Sequence, residues 1–106
     1  MTPELKETIK NKIIEQLSRI FDPELPVNIY ELGLIYDIDV KENGYVQITM
    51  TLTAPSCPAA QSLPVEVDQK VREVDGVNDV NVMITWTPKW EKHMMSEAAA
   101  LELGFM

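Results

Sequence analysis

The sequence predicts an α+β fold: a small two-layer sandwich with two main helices on one face of a three-stranded mixed sheet and a short C-terminal helical tail. Apolar residues recur every three to four positions in two segments, as in amphipathic helices, and every second position in three others, as in half-buried strands. With 106 residues, 45% hydrophobic and 25% charged, the chain is expected to form a single domain over residues 1–106.

The first helix is predicted from about residue 3 to residue 20. Thr2 can cap it, Pro3 suits its first position, and one face carries Leu5, Ile9, Ile13, Leu17 and Ile20. Beyond this helix, Pro23 and Pro26 disfavour helical backbone at the residues before them. An ordered, extended loop is therefore expected to follow.

Two strands follow as a predicted hairpin. In the first strand, Leu34, Tyr36, Ile38 and Val40 alternate with polar residues, and in the second, Val46, Ile48, Met50 and Leu52 face away from Gln47, Thr49 and Thr51. The two runs are joined through Asn43 and Gly44, and Asn-Gly between alternating runs is a strong hairpin signal.

The second helix is predicted to start after Pro58 and to close at Gly76, with Pro64 expected to kink it or delay its start. A third strand is predicted where Val80, Val82, Ile84 and Trp86 alternate with polar residues. In the tail, Ser96 could cap a short helix that ends at Gly104.

Charge and composition exclude several functions. Seventeen acidic against nine basic side chains give a formal charge of -8, which would repel phosphate backbones, so we expect no nucleic-acid partner. No apolar run approaches the roughly 20 residues of a membrane helix, and the first residues lack the apolar core of a secretion signal. With one cysteine there is no internal disulfide, and we expect a cytoplasmic protein without a membrane partner.

The single cysteine, Cys57, lies in the stretch TAPSCP between Pro55 and Pro58. A lone cysteine is often a small buried apolar residue. Here, however, it directly precedes a predicted helix, whose free backbone N–H groups and dipole would stabilise a thiolate. Structural and functional interpretations of Cys57 therefore both stay open on physical grounds.

Cys57 could take part in nucleophilic catalysis or in metal binding, and an acidic pair elsewhere in the chain is a further candidate feature. Nucleophilic catalysis needs a base, and the only histidine, His93, lies in the tail without a local signature. Zinc and iron-sulfur sites usually need about four protein ligands, so a metal at Cys57 would take ligands from a second copy, a partner or a small thiol. Asp22 and Glu24 form a candidate acidic pair, although Asp-Pro-Glu is also common in turns.

Four blocks of the chain, FDPELPVNIYELGLIYDIDV, ITMTLTAPSCP, GVNDVNVMITWTPKW and MMSEAAALELG, together resemble the iron-sulfur assembly domain family. That family includes SufT, the PaaD-type proteins and the cytosolic iron-sulfur targeting-complex subunit, and the stand-alone chain is most similar to SufT-like members. The resemblance implies a non-enzymatic factor that helps deliver clusters to client apo-proteins. It places the family's reactive cysteine on Cys57, its acidic motif on Asp22-Pro23-Glu24 and its threonine on Thr53. The cysteine-rich zinc segment of PaaD-type proteins is absent from the sequence.

The resulting hypothesis makes Cys57 one ligand of a transient iron-sulfur cluster or iron, supported by loop residues Asp22, Glu24, Thr53 and Ser56. Expected partners are assembly scaffold proteins and apo-protein clients, and a homodimer would bring two thiolates together. The alternative is a metal-free adaptor that docks partners through Trp86 and Trp90, residues that are otherwise core or a cover over the sheet. A thiol-dependent hydrolase is the third interpretation.

Overall fold

The computed structural model describes residues 2–21, 27–52 and 59–104. Its elements are α1 (Pro3–Leu17), β1 (Ile35–Val40), β2 (Tyr45–Met50), α2 (Ala59–Arg72), β3 (Asp79–Ile84) and α3 (Glu97–Glu102), with one 3₁₀ turn at Lys92–Met94. They form the predicted α+β sandwich with a three-stranded mixed sheet, so the predicted fold class is confirmed.

Helix α1 starts as predicted and ends earlier than predicted. The Thr2 hydroxyl accepts a hydrogen bond from the Leu5 amide at 3.1 Å, and Pro3 occupies the first helical position. The helix ends at Leu17, and the hydroxyl of the capping residue Ser18 donates to the Ile14 carbonyl at 2.8 Å. The same carbonyl accepts the Ser18 amide at 2.9 Å, so both polar groups of Ser18 bond back to the last turn of the helix. Ile20 is nevertheless fully buried, as its place in the apolar pattern indicated.

The sheet has the order β1-β2-β3, with β1 antiparallel and β3 parallel to the central β2. The predicted hairpin is confirmed, and α2 provides the crossover that a parallel pair requires. Val46, Ile48 and Met50 of β2 are completely buried on one face. Because α1 and α2 supply Ile13, Leu17, Val67 and Val71 to the same core cluster, the main core lies between the two helices and this face.

Strand β1 differs from the predicted alternation at Tyr36. Ile35 pairs with Met50, and Asp37 pairs with Thr49, so the register shifts by one residue between them. Such an irregularity leaves one residue without a partner on the neighbouring strand, and here that residue is Tyr36. Tyr36 was predicted to alternate with the polar residues of this strand, and the register shift interrupts the regular pairing at this residue.

Two other boundaries differ from the prediction. Helix α2 begins at Ala59, directly after Pro58 as predicted, with Pro64 inside it, but it ends at Arg72 and not at Gly76. Strand β3 ends at Ile84 rather than at Trp86, although the Thr85 amide still donates to the Met50 carbonyl at 2.8 Å. The last part of the chain therefore leaves the sheet beside the end of β2.

Strand β3 forms one edge of the sheet, and α2 places an arginine on it. One nitrogen of the Arg72 guanidinium donates to the Val80 carbonyl at 3.1 Å, and another lies 2.8 Å from the Asp79 carboxylate. Asp68, one turn earlier on α2, also pairs with Arg72. The side chain thus joins the end of the crossover helix to the edge strand.

The tail (residues 85–104) is held by the segment that leads into β1. The Trp90 indole N–H donates to the Leu32 carbonyl at 2.8 Å, and the Ser96 amide donates to the Glu31 carbonyl at 2.8 Å. Ser96 caps α3, as predicted, by accepting from the Ala99 amide at 3.1 Å. The tail therefore packs against its own chain.

Candidate functional site

The residues predicted to form the site belong to two segments, residues 22–26 and 53–58, that lie outside the described residues and are named loop 22–26 and loop 53–58 after the prediction from sequence. This applies to Cys57, Asp22, Glu24, Thr53 and Ser56. The residues on both sides of each loop are described, and they give the positions in the fold at which the chain enters and leaves the loop.

Loop 53–58 begins at a buried, hydrogen-bonded end of the central strand. Leu52, the last described residue before it, is 3% exposed, and the Thr51 amide donates to the Leu34 carbonyl at 2.8 Å. After the loop, α2 starts at Ala59 and inserts Leu63 into the core with 2% exposure. The strand before the loop and the helix after it are therefore both anchored in the core, through Leu52 and Leu63.

The first residues of α2 offer a favourable electrostatic environment to an anion placed before them. In the sequence, Cys57 comes two residues before Ala59, the first helical residue. The first turn of α2 carries no acidic residue, whereas the last turn carries Lys70 and Arg72. Because the N-terminal end of a helix carries a partial positive charge, this distribution is compatible with a thiolate before α2.

Loop 22–26 spans a base that is closed by backbone pairing. Phe21 and Asn28 form an antiparallel bridge, and the Ile29 amide donates to the Ile20 carbonyl at 2.8 Å. The Asn28 side chain accepts from the Glu31 amide at 2.8 Å and so stabilises the following turn. Both ends of the acidic loop are thus held at one point of the fold.

A buried hydroxyl at the end of β2 was missed by the sequence analysis. The alternation of β2 indicated that Thr51 lies on the polar face, yet its side chain has no exposure. Its Oγ1 makes no hydrogen bond to the described residues, although buried polar atoms are rarely left without a partner. Local periodicity could not reveal this burial, because it depends on contacts made after folding.

Tyr36, at the start of β1 and near the Thr51 hydroxyl, makes contacts with the tail. Its phenol donates to the Pro88 carbonyl at 2.8 Å and lies 3.5 Å from the Met94 sulfur. Burial raises the pKa of Tyr36, and the neighbouring Thr51 hydroxyl opposes that rise to a smaller extent, although the two groups do not meet hydrogen-bond geometry. Loss of the phenolic proton would remove the donor to Pro88.

Replacing Tyr36 by phenylalanine should therefore lower the free energy of unfolding by about 1 kcal/mol at neutral pH, the usual contribution of one hydrogen bond. Because the folded-state pKa is raised, the contribution of Tyr36 is complete below the ordinary phenol value near 10 and is lost as the pH rises through the folded pKa. Urea unfolding between pH 7 and 11 would measure both effects.

The matched control for this variant is Tyr30→Phe, since Tyr30 lies at the surface with 36% exposure. It should unfold with unchanged free energy at neutral pH. Equal free energies of unfolding for the native protein and Tyr36→Phe at pH 7 would contradict the role assigned to the phenol.

The two tryptophans of the predicted partner surface have different environments. Trp90 is half-buried against the core and donates to the Leu32 carbonyl, so it anchors the tail. Trp86 is 45% exposed, and Met83 of β3 is 46% exposed. Among the described residues, Trp86 is thus the tryptophan that offers an accessible apolar face, and its role in docking stays a prediction.

His93, considered as a base for catalysis, lies in the exposed 3₁₀ turn of the tail. Its Nδ1 is 3.3 Å from the Glu91 carboxylate, and its side chain is 72% exposed. Within residues 2–21, 27–52 and 59–104, no three His, Cys, Asp or Glu side chains are grouped so that they could hold a metal ion. In the same ranges no helix is both long and apolar enough to cross a membrane.

Comparisons with known proteins identify the kind of domain. Residues 10–84 match the model of a family described as "Iron-sulfur cluster assembly protein". A relative from Porphyromonas gingivalis, named "Fe-S protein maturation auxiliary factor", is 53% identical over 94 residues, which cover 89% of this chain and 90% of the relative. A Mycobacterium leprae protein named "Iron-sulfur cluster carrier protein" is 33% identical over 72% of this chain, which corresponds to 20% of that longer protein.

The fold is also found among solved structures. The crystal structure of a domain of unknown function (DUF59) from Bacillus anthracis superposes with a TM-score of 0.90 and 37% sequence identity. The superposition covers 99% of this chain and all of that domain. The elements described above, including α3, therefore belong to an architecture shared along nearly the whole chain.

Proposed function

The chain belongs to the iron-sulfur cluster assembly protein family, and from this premise we propose that it is a maturation factor that assists the delivery of iron-sulfur clusters to client apo-proteins. The observation that carries the proposal is the 53% identity, over 89% of the chain, to a relative named as an Fe-S protein maturation auxiliary factor. In this role the chain works as a non-enzymatic carrier or adaptor in the cytoplasm, and the cluster is its cargo. Its partners are assembly scaffold proteins and apo-protein clients.

Cys57 supplies one thiolate ligand to the transient cluster or iron in this proposal. Two properties of the described flanks support that role: Leu52 before loop 53–58 and Leu63 on the helix after it are buried, and the first turn of α2 lacks acidic side chains that would repel a thiolate. Asp22, Glu24, Thr53 and Ser56 are the supporting loop residues, acting on the protonation of the thiol or on its hydrogen bonds.

One thiolate alone gives a weak site, because iron-sulfur clusters are usually held by about four protein ligands. The remaining ligands come from a second copy of the chain, a partner or a small thiol. Weak retention favours release to a client, which is what a delivery factor needs. A homodimer that joins two Cys57 thiolates is one arrangement that meets the requirement.

The test is anaerobic reconstitution with iron and sulfide, followed by measurement of iron and acid-labile sulfide per chain. The native protein should retain both, with visible absorption from the cluster, and Cys57→Ala should fall to background because the ligand is gone. Ser62→Ala, an exposed change on α2, is the matched control and should behave like the native protein. Retention of iron and sulfide by Cys57→Ala would exclude Cys57 as the ligand.

A second candidate, a metal-free adaptor, is favoured by the exposure of Trp86 and Met83 beside the end of β2. An adaptor with Cys57→Ala should still capture a purified assembly scaffold, whereas Trp86→Ala should lose capture. A thiol-dependent hydrolase would need a base, and unchanged turnover after His93→Ala would remove that third interpretation.

A further inference from the structure

A shallow groove lies between α3 and the turn that follows loop 22–26, on the side of the molecule formed by the tail. Val27 and Ala99, both nearly buried, form its floor, and the exposed Phe21 and Ala98 line its sides. Asn28, Glu31 and Glu102 complete the lining, and the volume is about 200 Å³. We call this the Phe21 groove. The family model ends at residue 84, so the α3 side of the groove lies beyond the matched region.

Backbone contacts hold both sides of the groove in place. The bridge between Phe21 and Asn28 fixes one side. The other side is fixed by the hydrogen bond from the Ser96 amide to the Glu31 carbonyl and by Ala99, which is 2% exposed. A ligand would therefore meet a largely preformed surface, and little ordering would be needed on binding.

The charges around the groove have one sign. Among the described residues that line it, Glu31 and Glu102 are the ionisable ones, and none is a lysine or an arginine. Two other grooves in the described part of the chain differ, since one is lined by Lys12 and the other by Lys10 together with acidic groups. Glu102 also lies in the last turn of α3, where a negative charge opposes the helix dipole. The stability of α3 thus gives no reason for an acidic side chain at this position.

The apolar part of the surface is more exposed than helix packing requires. Phe21 is 53% exposed, and Leu101, three residues after Ala98 on α3 and thus on a neighbouring side of the helix, is 58% exposed. Exposed apolar side chains with polar neighbours, such as Phe21 beside Glu31 in the groove lining, are typical of interaction sites. The volume is below the range of about 300 to 1,000 Å³ found for small-molecule sites, so it suits a protruding side chain better than a cofactor.

We propose that the Phe21 groove docks a segment of a partner protein that presents one apolar side chain flanked by lysine or arginine residues. The apolar side chain lies between Phe21 and Ala98, and its basic neighbours pair with Glu31 and Glu102. A second copy of this chain fits less well, because each copy carries a net charge of -8. Binding in the groove does not require Cys57 and goes beyond the proposed function.

The test uses two synthetic peptides, acetyl-Gly-Arg-Leu-Arg-Gly-amide and its counterpart with glutamate at both arginine positions. Amide chemical shifts of the ¹⁵N-labelled protein would be followed up to 5 mM peptide. The basic peptide should shift the amides of Phe21, Glu31 and Ala98 and bind about fivefold tighter than the acidic peptide, as two surface ion pairs would give. No shift at these amides, or equal affinity for both peptides, would overturn the proposal.

Charge reversal makes the test specific. In the double variant Glu31→Lys and Glu102→Lys, the acidic peptide should bind more tightly than the basic peptide. The control double variant, Glu66→Lys with Asp75→Lys, changes the net charge equally on another surface. It should still bind the basic peptide more tightly, as the native protein does. If the first double variant does not fold, Phe21→Ala serves instead, and it should reduce binding of the basic peptide about fivefold. An unchanged preference after reversal, or unchanged binding to Phe21→Ala, would contradict the assignment.

Two further outcomes separate the alternatives. Shifts of the same amides that depend on protein concentration, without peptide, would identify a second copy as the occupant and overturn the proposal. The reconstitution experiment with Cys57→Ala reports on the proposed function alone, because it does not involve the groove. Peptide binding without cluster binding would therefore leave this inference standing while the maturation role failed.

Discussion

Replacing Gly33 by alanine should lower the free energy of unfolding by about 3 to 5 kcal/mol, a large part of the 5 to 15 kcal/mol that stabilises an ordinary domain. Gly33 has a φ of +81°, which L-residues with side chains rarely adopt. A Cβ built there would lie 2.3 Å from the carbonyl oxygen of Met94. Because that atom belongs to the backbone, the tail must move away.

Displacement of the tail would also break contacts that depend on its position. The hydrogen bond from the Trp90 indole to Leu32 would be lost, and Met95 and Ala99, now 9% and 2% exposed, would reach solvent. Urea unfolding followed by circular dichroism would measure the stability. A red shift of tryptophan fluorescence in the folded variant would report the release of Trp90.

Gly104→Ala is the matched control for this change. Gly104 has a nearly identical φ of +80°, yet a Cβ at this position would meet no atom within 4 Å. Only the backbone strain remains there, and we expect a loss of about 1 kcal/mol. Equal losses in the two glycine variants would show that contact with Met94 contributes nothing and would contradict the prediction.

Replacing Ile48 by alanine should cost about 3 to 4 kcal/mol, within the range measured for truncation of large core side chains. Ile48 is fully buried in the central strand and pairs with Ile38 on β1 and Val82 on β3. The truncation leaves a cavity between the sheet and the two helices, and the neighbouring strands limit how far the site can collapse.

Val65→Ala on α2 is the control, because Val65 is 55% exposed and its truncation should change the stability by less than about 0.5 kcal/mol. Both variants can be compared by urea unfolding. If the dependence of the free energy of unfolding on urea concentration (the m value) is unchanged, a change in the midpoint concentration reports a change in stability. If Ile48→Ala lowered the free energy of unfolding by less than about 1 kcal/mol, the neighbouring side chains would have to fill the cavity, which would contradict the prediction.

Local signals in the sequence predicted much of the fold. Thr2 and Pro3 mark the start of α1 because capping depends on neighbouring residues, and Asn43 and Gly44 mark the hairpin for the same reason. The shift at Tyr36 could not be predicted, since alternation alone carries no information on which residue faces the partner strand.

Long-range contacts determine the features that were missed. Trp90 and Leu32 are 58 positions apart, and Tyr36 and Pro88 are 52 positions apart, so no local pattern indicates that they meet. The same holds for the burial of Thr51. The candidate site was predictable only in part: sequence neighbours suggested a role for Cys57, but the flanks that position its loop became visible only with the three-dimensional arrangement of β2 and α2.

The contact between Arg72 of α2 and the edge strand β3 affects whether further strands can add to the sheet. An uncovered edge strand is a template on which the strands of other molecules can add, and repeated addition leads to aggregates. At β3 the Val80 carbonyl is already bonded to Arg72, and an incoming strand would have to displace a guanidinium that is also paired with Asp68 and Asp79. Arg72 thereby hinders the pairing of another strand with β3, which disfavours aggregation of the three-stranded sheet through this edge.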